Sequence, residues 1–250
     1  MKNVENRSAH TALVTGSTRG IGRAIALRLA REGTAVGVHG QRSDGSAVVA
    51  EINRLGAKAF FVKADISESQ QVQRAVREVE SALGPIDILV NNAAISDYDY
   101  THAWEVDEAT WDRMCGVNLK GVFLCCREVL PSMLERMWGR IVNISSTSGI
   151  DGGTSGAHYA ATKGGVIAMS KALAREVAHL GITVNVVAPS KIDTDMFRAA
   201  APGKKREETI RKIPVGRLGT PDDIAEAVAY FTAESAGYTT GQVLVVSGGY

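Results

Sequence analysis

Ser146, Tyr159 and Lys163 are the residues of this 250-residue chain whose types and spacing most readily do chemistry. Tyr159 and Lys163 are four apart, so on a helix their side chains stand one turn above the other on one face. A phenol with an ordinary pKa near ~10 is a poor acid or base at neutral pH, and each unit of lowering takes about 1.4 kcal/mol of preferential stabilisation of the phenolate. An ammonium one turn away supplies part of that. A serine hydroxyl can then hydrogen-bond a carbonyl oxygen while the tyrosine gives it a proton, or serve the reverse reaction. Taken alone, a Tyr-x-x-x-Lys pair is the ordinary pattern of a solvated helix surface, so its neighbours must decide.

Arg140 to Ser145 is an apolar, β-branched run of strand type, and the Gly-rich segment after it reads as a loop without regular structure. From Ala157 the sequence is helix-forming up to His179-Leu180, where Gly181 ends it. A strand therefore hands over through a loop to the helix of Tyr159, and Ser146 falls at the strand end, where side chains of an open α/β sheet meet ligands.

The same grammar opens the chain. Strand-like Thr11 to Thr15 runs into Gly16-Ser17-Thr18-Arg19-Gly20-Ile21-Gly22, and Ile25, Leu27, Leu29 and Ala30 then mark the apolar side of a helix. Such a turn aims backbone N–H groups and the positive end of a helix dipole at a pyrophosphate, and its glycines permit close approach. The spacing is G-x-x-x-G-x-G rather than the commoner G-x-G-x-x-G. After the second strand, Thr34 to His39, an NAD-preferring site usually carries an acid for the ribose hydroxyls, whereas this chain offers Gly40, Gln41 and Arg42. Arg19 and Arg42 together suit a 2′-phosphate, so the expected cofactor is NADP(H), with NAD(H) as the alternative.

Helical sequence over Ser43 to Leu55 precedes a third strand, Ala57 to Val62, ending at Asp65-Ile66. Asp65 can meet an adenine edge, cap the following helix, or do both. Gln70 to Leu83 is helical, Gly84-Pro85 stops it, and Ile86 to Val90 is a fourth strand ending in Asn91-Asn92-Ala93-Ala94, small enough for a flat ring or ribose to reach the backbone. Glu108 to Met137 reads as long helix with bends near Asn118 and Pro131. A sixth strand, Ile182 to Val187, leads through Pro189, Ile192 and Thr194 into a helical flap over Phe197 to Lys212. Thr220 caps the helix Pro221 to Glu234, and Gln242 to Val246 is the last strand.

Composition narrows the function classes. With 28 basic and 27 acidic residues the formal charge is +1, which implies neither a nucleic acid nor an acidic membrane surface as partner. Cys115, Cys125 and Cys126 form no C-x-x-C and read as buried free thiols. The first residues lack the apolar core of a signal peptide and no run is long enough to span a bilayer, so a soluble cytoplasmic protein is expected. At this length and 45% hydrophobic content, residues 1–250 are expected to form a single domain.

Alternating strands and helices predict an α/β fold, a parallel sheet with helices on both faces. Taken together, TGSTRGIG at 15–22, NNAA at 91–94, Asn118, Ser146 and YAATK at 159–163 resemble the short-chain dehydrogenase/reductase family, from Thr11 to the C-terminus. The resemblance implies a single Rossmann-like, doubly wound, seven-stranded sheet and a catalytic tetrad of Asn118, Ser146, Tyr159 and Lys163. It casts Tyr159 as general acid/base, Ser146 as the group polarising the substrate oxygen, Lys163 as the ligand of the nicotinamide ribose that lowers the Tyr pKa, and Asn118 as holder of a relay water. It assigns Gly16, Ser17, Arg19, Gly20, Ile21 and Gly22 to the pyrophosphate turn, Asp65 and Ile66 to the adenine, Asn92 and Ala93 to the ribose, and Pro189, Ile192 and Thr194 to the carboxamide segment. Three positions depart from the family pattern: Ala94, Ser190 and Ser247 stand where glycine, glycine and an acid or amide are usual.

Overall similarity is nearest to 3-oxoacyl carrier-protein reductases, yet Pro131 and Leu180 stand where those enzymes commonly present arginines to the acidic carrier. The expected activity is interconversion of a ketone and a secondary alcohol on a keto ester, a 3-oxoacyl compound or a polyol. The alternatives are a 3-oxoacyl carrier-protein reductase and a catalytically silent binding protein on the same fold. Tyr98, Tyr100, Trp104, Asp151 and His158 are candidate pocket residues, and no Arg or Lys cluster is apparent, which predicts a neutral or modestly polar substrate. Relatives are commonly D₂ homotetramers, and Val122, Phe123, Val129, Leu130, Val166, Met169 and Leu173 suggest surplus apolar surface on the long helices.

Overall fold

A computed structural model describes residues 10–96, 101–153 and 155–250. Seven strands make one parallel sheet in the order β3-β2-β1-β4-β5-β6-β7. They are β1 (Thr11–Val14), β2 (Ala35–Gly40), β3 (Ala59–Lys63), β4 (Ile88–Asn91), β5 (Gly139–Ile144), β6 (Ile182–Pro189) and β7 (Val243–Val246). The central strands are buried along their whole length because both faces are covered, which explains their unbroken apolar sequences. Alternate residues still choose sides. Ala12 and Val14 join one core with Ile25, Leu29, Ile52 and Ile224. Leu13 joins the other with Val76, Val129, Met133 and Val166.

The helices follow in chain order. α1 (Gly20–Arg31) and α2 (Ser46–Arg54) cover the first face, and α3 (Ser69–Leu83) covers the second. α4 (Glu108–Cys115) passes through a π-helical turn, Gly116–Lys120, into α5 (Gly121–Arg136). The interruption expected at Asn118 is thus one wide turn in a continuous helix, and the helix runs on through Pro131. α6 (Ser148–Asp151) is a single turn inside the Gly-rich segment read as irregular; the loop residues Ser148 to Asp151 are pinned there against α7 (Ala157–Val177). α8 (Asp195–Ala200) and α9 (Lys204–Arg211) are the two pieces of the flap. α10 (Pro221–Thr232) carries the expected cap, with Asp223 N–H donating to Thr220 Oγ1 at 3.2 Å.

Sheet order reverses beside β1, where the chain first builds outward through β2 and β3 and then returns to add β4 on the other side. Loops leaving β1 and β4 therefore diverge and leave a crevice over the strand ends. Three long-helix residues expected at a surface lie elsewhere: Val129 and Val166 are wholly buried in the core, and Val122 is 2% exposed, because those faces point at the sheet. Phe123 alone of that set is widely exposed, at 48%. Cys125 and Cys126 are buried free thiols, as expected, whereas Cys115 is half-buried. Among the described residues no helix is long and apolar enough to cross a membrane.

Candidate active site

The crevice is a cavity of about 1200 Å³ lined from β1 through to the C-terminus. Ser146, Tyr159 and Lys163 line it, together with Gly16, Arg19, Gly20, Ile21, Gly22, Arg42, Asp65, Ile66, Asn92, Ala93, Pro189, Ile192 and Thr194. The fold thus gathers residues scattered over most of the sequence. Ser17 is different: it is fully buried, its Oγ donating to Val14 O at 2.7 Å and accepting from His39 N–H at 3.0 Å. Asn118 also stands behind the wall rather than in it. Its amide exchanges two hydrogen bonds of 2.8 Å with the backbone of Ile95, fixing the loop after β4.

α7 is placed by buried polar contacts. Asn91 Nδ2 donates to Asn143 Oδ1 and Asn143 Nδ2 to Ser170 Oγ, each at 2.8 Å, so β4, β5 and α7 share one register. Ser145 Oγ donates to Lys163 O at 2.8 Å. Gly149 packs on the backbone of Lys163 and Gly164 so closely that a Cβ there would lie 2.6 Å from Lys163 C. These contacts hold the Tyr159 turn on the same cavity as Ser146, near enough for the serine hydroxyl to act on the phenol.

Burial dominates the electrostatics of this group. It pushes the Tyr159 phenol up to about 12, with the Ser146 hydroxyl acting in the opposite direction. It also brings the Lys163 ammonium down to about 8. The expected lowering of the tyrosine by the lysine is not what this geometry gives. Lys163 Nζ lies 5.8 Å from the Tyr159 ring centroid and donates to Ile144 O at 2.9 Å, so desolvation outweighs its field.

The glycine turn is braced from below by two residues. Gly16 N–H donates to His39 Nδ1 at 3.0 Å, and His39 Nε2 meets Ala64 O at 3.1 Å. Burial lowers the His39 pKa, which keeps the ring neutral and able to accept from the turn. Sequence reading passed over His39 as a strand residue; the signal was a lone histidine at the end of an apolar strand beside the turn. Asn92 Nδ2 donates to Thr15 O at 2.9 Å and Gly16 O at 3.1 Å, so its side chain serves the turn. Asp65 is held as well: Oδ1 accepts from Ser67 N–H at 2.9 Å and Oδ2 from Gln41 Nε2 at 2.5 Å.

α1 starts at the cavity with no side-chain cap and no acid in its first turn. Its leading N–H groups remain as donors at the positive end of the helix dipole, a donor set that fits a diphosphate. Arg19 and Arg42 are exposed on the same cavity. Ser190 adopts ordinary backbone, since among the described residues Met137 is the one non-glycine with left-handed φ. Its N–H donates to Val246 O at 3.1 Å, so replacing the usual glycine leaves the end of β6 in register with β7.

The substrate side differs from expectation. Trp104, Asp151 and His158 do not line the cavity; Trp104 is 80% exposed and stacks on His102, and His158 is buried. Tyr98 and Tyr100 lie outside the described residues. Lysines that looked isolated in sequence converge instead, with Lys191, Lys205 and Lys212 all on the cavity. The flap bearing two of them is fastened by Asp193, whose carboxylate takes two bonds from Arg206, at 2.9 and 3.0 Å, and one from Arg198 at 2.9 Å. These guanidinium groups hold the Asp193 carboxyl far below the usual carboxylate range.

A doubly wound parallel sheet with a glycine turn at its switch point and a Ser-Tyr-Lys group over the same cleft defines a nucleotide-dependent oxidoreductase. The chain belongs to the short-chain dehydrogenase/reductase family. A family model described as Enoyl-(Acyl carrier protein) reductase matches residues 16–250. Over 241 residues the chain is 43% identical to a 3-oxoacyl-[acyl-carrier-protein] reductase FabG of Staphylococcus epidermidis, covering 96% of this chain and 98% of the relative. Among solved structures, a 3-oxoacyl-[acyl-carrier protein] reductase from Brucella melitensis superposes with TM-score 0.91 at 32% identity, over 100% of this chain and 97% of that one. Levodione reductase gives the same TM-score at 33% identity, over 97% and 98%.

Proposed function

We propose that the protein reduces a ketone to a secondary alcohol, or runs the reverse reaction, with NADP(H), on a 3-oxoacyl thioester or a keto ester. The observation that carries this reading is that Ser146 and Tyr159 line the same cavity as the glycine turn. The dinucleotide supplies or accepts the hydride. The α1 N-terminus, Gly16, Gly20 and Ile21 hold the diphosphate; Ile66 and Ala93 flank the adenosine; Lys163, Pro189, Ile192 and Thr194 face the nicotinamide end. Tyr159, neutral throughout the physiological range, donates its proton to the carbonyl oxygen, and Ser146 holds that oxygen by a hydrogen bond. Asn118 acts through the Ile95 backbone by setting the loop that closes this side of the cleft. The names of the relatives support the 3-oxoacyl class. A turnover screen with NADPH across 3-oxoacyl thioesters, keto esters, sugars and polyols, read by absorbance of the reduced cofactor, tests it; activity confined to polyols would end it.

Cofactor choice rests on Arg19 and Arg42, with Gln41 and Ser67 occupying the Asp65 carboxylate. The expected kcat/KM is at least about tenfold higher with NADPH than with NADH, as one charge-assisted contact supplies, and Arg42→Ala narrows the gap. A native preference for NADH would show that these arginines are solvated surface charges.

Assembly as a homotetramer is part of the same proposal. Its support has moved from the long helices to the sheet edge, where Leu244 and Val245 of β7 are 38% and 44% exposed and Tyr230 and Tyr238 are 54% and 103% exposed. An unpaired edge strand with apolar side chains is a surface that partners cover. Light scattering at micromolar concentration is expected to give four chains per particle; a monomer counts against it.

A further inference from the structure

Between the loop after β6, α9 and the C-terminal Tyr250, the cavity wall is cationic. Lys205, Glu208, Thr209 and Lys212 all line it, and their spacing of three, four and seven places one face of α9 and its C-cap on the cavity. Lys191 faces them from the loop after β6, its Nζ 5.3 Å from the centroid of the Tyr250 ring. Burial lowers the Lys191 pKa most, the Asp151 carboxylate raises it, and the charge of Lys205, near enough to act but a smaller effect than either, lowers it again. Glu208 is the one carboxylate on the α9 face and Asp195 lines the cavity beside Arg198, which leaves lysines in excess on that face, with Lys205 Nζ donating to Ala200 O at 2.8 Å. Lys191 is half-buried while Lys205 and Lys212 are exposed, and like charges gathered at one end of a cavity are relieved when an anion enters between them. Phe197, Ala200 and Ala201 line the neighbouring wall, which gives a carbon chain an apolar path toward that end.

We propose that Lys191, Lys205 and Lys212 form an anion subsite of the substrate cavity, taking a carboxylate or phosphate carried several atoms from the reacting carbonyl. The proposal rests on the reductase reading above and replaces the neutral or modestly polar substrate expected from the sequence with one ending in an oxyanion. Two sources share this chemistry, a carboxylate on the substrate itself and a phosphate on the arm of an acyl thioester.

Matched substrates separate the sources: a keto acid against its methyl ester, and a 3-oxoacyl coenzyme A against the N-acetylcysteamine thioester of the same acyl group. At saturating NADPH the anionic member of at least one pair is expected to have a kcat/KM tenfold or more above its neutral twin, expressed in KM. The pair that shows it identifies the source. Lys205→Gln with Lys212→Gln removes most of that ratio, and Lys205→Arg with Lys212→Arg retains it. Ratios near one in both pairs, or ratios unmoved by the glutamine variants, overturn the subsite. Absence of turnover with every carbonyl compound would instead end the reductase reading, and calorimetry then decides the subsite: coenzyme A and hexanoate are titrated into protein saturated with NADP⁺. Tenfold weaker binding of either by the glutamine double variant sustains the subsite; equal binding of both, or none by the native protein, overturns it.

Discussion

Tyr159→Phe is expected to lower kcat/KM by about a thousandfold or more while leaving the dissociation constant of NADPH within about twofold, since general acid catalysis by one positioned group contributes about 10²–10⁴. The substitution removes one oxygen and leaves the ring in place over Lys163. Packing, and with it the position of α7, is therefore retained, because that helix is fixed by Asn143, Ser145 and Gly149 rather than by the phenol. Burial keeps the phenol protonated, with a pKa of about 12, so the acid form is present at every pH where the protein is used. Steady-state kinetics with fluorescence titration of NADPH separate the two effects. Turnover within tenfold of the native rate would remove Tyr159 from its assigned role, and equal losses in turnover and cofactor affinity would make it a packing residue.

How much of this was legible beforehand depended on the range of the interactions concerned. Local signals were enough for the strands and most helices: the glycine stops at Gly84 and Gly181 carry φ values of 97° and 75°, which only the sequence position of a glycine needed to announce. Ser148 to Asp151 was misread for the opposite reason. Its sequence has no helical preference, and its single turn forms because Gly149 nests on the α7 backbone, a contact between segments that no window of sequence contains. The catalytic trio was legible as a local spacing, whereas its electrostatics was not. Desolvation depends on how deeply the fold buries Tyr159 and Lys163, and that reversed the direction expected for the tyrosine. The lysine wall was missed likewise, since Lys191 and Lys205 come together only where the loop after β6 and α9 line one cavity.

Gly22→Ala is expected to weaken NADPH binding by about a hundredfold and to destabilise the protein by about 2 kcal/mol, the scale of forcing an atom into a full site. Gly16 and Gly22 are both glycines of the turn, yet they are needed for different reasons. Gly16 has φ of 64°, a left-handed backbone that a side chain disfavours. Gly22 is helical and any residue could adopt its backbone; what excludes a side chain is space. A Cβ there would lie 2.3 Å from Gly16 O and 2.5 Å from Asn92 Nδ2. Neither neighbour can yield cheaply, because Gly16 N–H is tied to His39 and Asn92 Nδ2 itself holds Thr15 O and Gly16 O. Relief must therefore come from moving the turn away from α1, which swings the helix N-terminal donors off the diphosphate. Thermal unfolding with and without NADPH reads both parts of the effect: a lower melting temperature for the free protein and a much smaller stabilisation by the cofactor. An unchanged cofactor-induced shift would mean that the contact between Gly22 and Gly16 O is slack, and that the turn does not depend on the Asn92 and His39 braces.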